Sequence, residues 1–110
     1  MKALIFALLP LPALADFPMI EAAQINGTTV SVTLSHPDTG WDHYADGWEV
    51  LTPDGTSLGL RILAHPHVAE QPFTRSLGDV KVPAGVRELH IRTRCNRDGW
   101  ADQTFVLPLD

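Results

Sequence analysis

The side chains of this chain that are best suited to chemistry are its histidines and its single cysteine. Four of the five histidines lie in two long segments without a regular hydrophobic period, residues 35–47 and residues 64–77. The first segment holds His36 and His43, and the second holds His65 and His67. Imidazole is the commonest protein ligand of metals, and long irregular segments of a compact domain frequently carry function. These four histidines are therefore candidate metal ligands.

Cys95 is a fifth candidate ligand, because a thiolate completes many transition-metal sites. It follows Leu89 and Ile91 at even spacing along a predicted strand, so its side chain is expected to point inward, towards one rim of the domain. An internal disulfide is excluded, because the chain has one cysteine. The alternative to a ligand is a small buried apolar residue, which is the ordinary state of a free cysteine.

His65 and His67 flank Pro66, which favours extended backbone before it and directs the two imidazoles to the same side of the chain. Such a pair suits copper or zinc. The alternative is a polar loop whose histidines bond to the backbone or to Glu70. A further possibility is that this loop folds over the rim that carries the first histidine pair and adds an imidazole to it.

Three arginines, Arg92, Arg94 and Arg97, lie near Cys95 in the sequence. Their charge could lower the pKa of the thiol or attract a small anion. The alternative, which strand alternation favours, is a solvated outer face on an edge strand.

The elements that must position these side chains are predicted to be short β-strands, because apolar residues recur with a period of two and no stretch has a helical period. The predicted strands lie in residues 20–24, 29–34, 48–51, 58–63, 80–82, 89–95 and 105–109. About seven short strands separated by turn signals predict an all-β fold, an immunoglobulin-like antiparallel β-sandwich, with a small barrel as the alternative. The predicted inward-facing residues are Val30, Val32, Leu34, Val50, Leu60, Ile62, Leu89, Ile91, Phe105 and Leu107.

Several short motifs occur in order along residues 16–110: His36-Pro37, then His43-Tyr44 with Trp48 after it, then Cys95-Asn96. The segment of residues 16–21 reads Asp-Phe-Pro-Met-Ile-Glu. In these motifs the chain resembles the superoxide reductases, that is, neelaredoxins and the iron domain of desulfoferrodoxins. The first segment is similar to that family's opening His-x-Pro-Val-Ile-Glu.

The resemblance implies an immunoglobulin-like sandwich that holds one iron ion through four equatorial histidines and one axial cysteinate. It implies His36, His43 and Cys95 as ligands, with Asp98 where the family has its last histidine and Phe17 where it has its first. Phe17 has no donor atom, and Asp98 offers a carboxylate. We therefore expect weaker iron retention than in a four-histidine site and little or no superoxide reduction, with copper or zinc as alternative metals.

Residues 1–15 have the layout of a secretory signal peptide. Lys2 precedes the apolar run of residues 3–9, and Ala13-Leu14-Ala15 presents small residues before Asp16. The apolar run is shorter than the about 20 residues that span a membrane. Cleavage after Ala15 is expected to leave one domain, residues 16–110, in the periplasm or outside the cell. No cysteine follows the cleavage site, so no lipid anchor is expected.

The chain without this signal has seven basic residues against 13 acidic ones, a net charge of −6. Such a domain lacks the basic stripe that binds nucleic acid or anionic lipid, and no Gly-x-Ser-x-Gly hydrolase motif occurs. Three classes of function remain open. The first is a metalloprotein with a redox or metal-carrying role, which as an enzyme would be a superoxide-reductase-like oxidoreductase. The second is a metal-free immunoglobulin-like binding module. The third is an accessory domain that keeps a redox family's fold without its chemistry.

Overall fold

A computed structural model describes residues 15–110 as a sandwich of two antiparallel β-sheets. The predicted signal peptide lies outside the described residues, apart from Ala15. The eight strands are β1 (Met19–Asn26), β2 (Thr29–Ser35), β3 (Ala45–Leu51), β4 (Ser57–Ile62), β5 (Phe73–Leu77), β6 (Glu88–Cys95), β7 (Gly99–Trp100) and β8 (Phe105–Pro108). No helix long and apolar enough to cross a membrane occurs within residues 15–110.

The two sheets divide the strands in an order that confirms the predicted antiparallel sandwich. One sheet has the order β1-β2-β5, and the other has the order β4-β3-β6, with β7 and β8 both paired to the outer edge of β6. The strand number is eight, because residues 73–77 of the second irregular segment form β5 and residues 99–100 form the two-residue strand β7. Residues 80–82, predicted as a strand, form none, although Val80 is buried and its N–H donates to Thr28 O at 2.9 Å.

The core lies between the sheets and is built by strict alternation along the central strands. On β2, Val30, Val32 and Leu34 are fully buried. On β6, the buried positions are Leu89, Ile91, Thr93 and Cys95, so the inward parity predicted for the cysteine is confirmed. Trp48 and Val50 of β3 fill the space between these two strands. The inward face of β6 therefore leads from the core to Cys95 at one end of the sandwich.

The prediction that Leu60 and Ile62 face inward is wrong, because these side chains are 44% and 61% exposed. The cause is a β-bulge at Leu58, the residue of β4 without a partner on β3. The alternation is inverted beyond the bulge, so Gly59 faces the other sheet and Leu60 faces solvent. A Cβ atom at Gly59 would lie 2.8 Å from Leu77 Cδ2, so a larger residue there would require the Leu77 side chain to move.

Candidate metal centre

His36, His43 and Cys95 come together at one end of the sandwich. One ligand atom from each, an imidazole nitrogen or the sulfur, lies within 4.8 Å of the other two. All three residues are buried, with exposed fractions of 3%, 5% and 0%. The two imidazole rings meet edge to face, with ring centroids 4.6 Å apart. The three side chains thus enclose a small space lined by two nitrogen donors and one sulfur donor.

Strand pairing places these residues side by side. His36 directly follows β2, Cys95 ends β6, and Cys95 pairs with Ala45 at the start of β3. Asn96 then closes the connection to the loop that carries His43. Its N–H donates to Tyr44 O at 3.1 Å, and its side-chain oxygen accepts from Tyr44 N at 2.9 Å. The pairing of β3 with β6 and the two bonds of Asn96 therefore hold the loop that carries His43 beside the cysteine.

Asp38 fixes the orientation of His36. Its Oδ1 lies 2.6 Å from His36 Nδ1 and accepts the N–H of Ala45 at 3.0 Å. Its Oδ2 accepts the N–H of His67 at 2.8 Å. A carboxylate behind one ring nitrogen orients the ring so that the other nitrogen can bind a metal, an arrangement that recurs behind metal-bound histidines. In the metal-free chain that other nitrogen, Nε2, lies 2.6 Å from the carbonyl oxygen of Asp16.

His43 is held by a tight turn and has an unpartnered nitrogen. The backbone N–H of His43 donates to Gly40 O at 3.2 Å, and its backbone carbonyl accepts the N–H of Thr39 at 3.0 Å. The Nε2 atom is buried and has no hydrogen-bond partner among residues 15–110. Leaving a buried polar atom without a partner costs about 1–3 kcal/mol. This nitrogen is therefore available to bind a metal ion or to accept a hydrogen bond from a donor.

Cys95 presents a protonated thiol to the same space. Burial raises the pKa of the Cys95 thiol, against the opposing effect of the N–H groups of Asp98 and Arg97. The Asp98 N–H lies 3.2 Å from Sγ, and the thiol lies 3.5 Å from Asp98 Oδ2. A metal ion that binds here must displace the thiol proton, which couples binding to proton release.

Asp98 lies at the edge of the three-residue group. Its Oδ2 is 3.7 Å from His43 Nε2, and the side chain is 21% exposed. Burial would raise the pKa of Asp98, but hydrogen bonds from the Asp16 N–H and the Cys95 thiol, with the charge of Arg97, outweigh it and lower the pKa. Asp98 is thus an ionised oxygen donor beside the two nitrogens and the sulfur, close enough to join them after a small movement.

His65 and His67 do not join this group, so the expectation that their loop adds an imidazole to the rim is not met. The His67 ring instead stacks on Phe73, with centroids 3.9 Å apart and planes at 11°. Its Nε2 accepts a hydrogen bond from Arg75 at 2.8 Å. His65 is exposed, and its Nδ1 donates to Pro66 O at 3.1 Å. Burial and the charge of Arg75 lower the pKa of His67.

The arginines near Cys95 divide between the outer face and the site. Arg92 donates to Glu49 at 2.6 and 2.8 Å, and its guanidinium lies over the Trp100 ring. Arg94 donates to Asp46 at 2.9 Å. These two arginines lie on the outward side of β6, as strand alternation favours. Arg97 is half exposed and lies 3.7 Å from Asp98 Oδ2. Arg97 is therefore the arginine placed to act on the site, through that carboxylate.

Two features of the site were not singled out from the sequence. Asp38 is one, although a carboxylate two residues after a candidate ligand in His36-Pro37-Asp38 was a usable signal. The backbone of Asp16 is the other, since its carbonyl oxygen lies 2.6 Å from His36 Nε2. Backbone atoms carry no residue-type signal, so this second contact required the fold.

The donor set fits a transition-metal ion. Two imidazole nitrogens, a sulfur and a nearby carboxylate oxygen are ligands of zinc, ferrous iron and copper, and ligand type does not choose among the three. The unpartnered His43 nitrogen and the carboxylate behind His36 are the observations that favour an ion over a purely packed cluster.

Comparison with known proteins gives a relative but no family. No model of a known protein family matches the chain, and no solved structure matches it. A protein of Halomicrobium mukohataei named "Putative lipoprotein" is 39% identical over 88 residues. The match covers 80% of this chain and 43% of that protein, so the chain spans less than half of its relative's length.

Proposed function

We propose that this chain is an exported domain that binds one transition-metal ion through His36, His43 and Cys95, with Asp98 as a further oxygen donor, in a redox or metal-handling role. The observation that carries the proposal is the convergence of three buried donor atoms within 4.8 Å. Metal sites require such convergence, and the buried Nε2 of His43 has no hydrogen-bond partner among residues 15–110, which leaves it available to a metal ion.

Iron is the first candidate metal, through the resemblance to superoxide reductases. The residues matched to that family's motifs, His36, His43 and Cys95, are the three that lie together. Asp98, matched to the last histidine, lies beside them, and Phe17, matched to the first, adjoins Asp16, whose carbonyl contacts His36. Because this site has two imidazoles fewer than the four-histidine site of that family, we expect it to retain iron less strongly and to reduce superoxide little or not at all. Copper and zinc are alternatives that the same donors suit.

Export is supported by the signal-like layout of residues 1–15 and by the printed name of the relative, a lipoprotein. From the name of the relative we infer export, and we do not infer a lipid anchor. The single cysteine of this chain, Cys95, is buried in the fold and lies on the metal site.

The test is metal titration of protein purified without a polyhistidine tag. Ferrous iron under argon, or copper(II), is expected to give a thiolate-to-metal charge-transfer band that is absent in Cys95→Ser. His65→Gln and His67→Gln are matched controls, because they remove imidazoles that lie outside the group, and they should keep the band. Circular dichroism of each variant checks folding.

Two outcomes would overturn the proposal. One is a charge-transfer band that survives in Cys95→Ser. The other is equally weak metal binding in wild-type and in the double variant His36→Gln, His43→Gln. The chain would then be treated as a metal-free immunoglobulin-like binding or accessory domain.

A further inference from the structure

The backbone of Asp16 touches the candidate metal site at both of its polar atoms. Its carbonyl oxygen lies 2.6 Å from His36 Nε2, and its nitrogen lies 3.2 Å from Asp98 Oδ2. The following residues hold it in place: Pro18 is buried, and its carbonyl accepts the Thr93 hydroxyl at 2.7 Å. Residues 16–18 therefore run across the site as part of the packed structure.

Both ring nitrogens of His36 lie against an oxygen atom. Nδ1 faces the carboxylate of Asp38 at 2.6 Å, and Nε2 faces the carbonyl oxygen of Asp16 at 2.6 Å. A metal ion bound at Nε2 would replace the hydrogen bond to the Asp16 oxygen and would lie beside that oxygen. The Asp16 carbonyl is therefore placed to serve as a further oxygen donor.

Signal cleavage after Ala15 would change the chemistry of the other Asp16 atom. In the uncut chain this nitrogen is an amide whose lone pair is delocalised into the peptide bond, so it does not bind zinc or ferrous iron at neutral pH. In the cleaved chain it is a primary amine, which binds a metal once its proton has left to solvent. The amine nitrogen and the carbonyl oxygen of one residue close a five-membered ring with a metal ion.

We infer that the mature N-terminal residue Asp16 is itself a metal ligand, through its α-amino nitrogen and its carbonyl oxygen, and completes the site of His36, His43 and Cys95. The inference rests on the proposed metal site and on cleavage at Ala15. Export and metal binding are then coupled, because the full ligand set exists only after the signal is removed. The alternative is an α-ammonium group that pairs with Asp98 and binds no metal.

The experiment compares two exported proteins whose first residue is established by intact mass. One begins at Asp16, and the other carries a glycine inserted between Ala15 and Asp16. Zinc(II) affinity is measured at neutral pH by competition with a chelator of known affinity, because zinc does not displace the proton of a backbone amide. The glycine keeps every side chain but converts the Asp16 nitrogen into an amide, so we expect the affinity to fall at least about tenfold. Asp102→Asn is the matched control for a lost surface carboxylate, because Asp102 is exposed and lies outside the site, and its affinity should stay within about twofold of wild-type.

The outcomes separate this inference from the proposed function. A thiolate band in both proteins, with equal affinities, overturns the role of Asp16 and leaves the three-ligand site standing. A mature chain that does not begin at Asp16 overturns it as well. The absence of a band that depends on Cys95 overturns both proposals. Equal thermal stability of the two metal-free proteins is expected, which assigns any affinity difference to ligation.

Discussion

Nδ1 of His36 lies 2.6 Å from Oδ1 of Asp38, and both side chains are completely shielded from solvent. The same carboxylate accepts the backbone N–H groups of Ala45 and His67. Asp38 therefore joins three separate parts of the chain: the residues after β2, the start of β3 and the loop before β5. Buried carboxylates are retained where such donors would otherwise lack a partner.

Asp38→Asn is expected to destabilise the fold by about 2–4 kcal/mol, because an amide offers one acceptor oxygen and turns two donor hydrogens towards groups that donate. Urea unfolding followed by tryptophan fluorescence measures the loss. Asp42→Asn is the matched control, since Asp42 is exposed in the same loop, and it should change stability by less than about 0.5 kcal/mol. Similar values for both variants would contradict the anchoring role of Asp38.

The sheet of β4, β3 and β6 has one face towards the core and one towards solvent, and a second pair of variants compares the two faces. Ile91→Ala removes a fully buried side chain of the core and is expected to cost about 2–5 kcal/mol. Leu60→Ala removes a side chain that is 44% exposed on the other face of the sheet, and it should cost less than about 1 kcal/mol. Urea midpoints measured under identical conditions compare the two. A larger loss for Leu60→Ala would mean that the bulge at Leu58 does not invert the alternation.

What the sequence predicted well depends on strict alternation. β2 and β6 alternate without interruption, so the inward parity of Ile91 and Cys95 followed from spacing, and the sandwich followed from the number of such strands. Leu60 and Ile62 were misplaced because one bulge at Leu58 reverses parity, and a bulge leaves little signal in a single sequence.

The candidate site was predictable to the same extent. The order of His36, His43 and Cys95 along the chain suggested a shared site, since all three come from ends of strands or the loops between them. The position of His67 was not predictable, because its ring is held by contacts with Phe73 and Arg75, which belong to a strand that the sequence did not reveal. Long-range packing of this kind has no local pattern.

His67 gives the fold a dependence on pH. Burial and the charge of Arg75 lower its pKa in the folded protein, whereas the unfolded chain has a histidine pKa of about 6.5. The unfolded state therefore binds more protons as the pH falls through about 6.5, and stability is lost towards acid. The contribution is fully present above that pH.

The measurement is the free energy of unfolding at pH 7.5 and at pH 5. In His67→Gln the loss between the two values should be smaller than in wild-type. Arg75→Gln keeps the imidazole and removes the cation, so its loss should lie between the other two, because burial, the larger cause, remains. A loss in His67→Gln equal to that of wild-type would show that His67 is not the group that titrates.

Cys95 is expected to resist alkylation in the folded protein. The thiolate is the reactive form, and Cys95 is both 0% exposed and shifted by burial to a higher pKa. Iodoacetamide at pH 7.5 should therefore modify the native, metal-free chain at least about a hundredfold more slowly than the chain in urea, since reaction requires local opening. Intact mass reports the reaction directly, because one cysteine gives one increment. Asp38→Asn, which loosens the loop over the site, should react faster than wild-type, while Leu60→Ala should not. Native labelling within tenfold of the rate in urea would contradict a buried thiol at the rim of the sandwich.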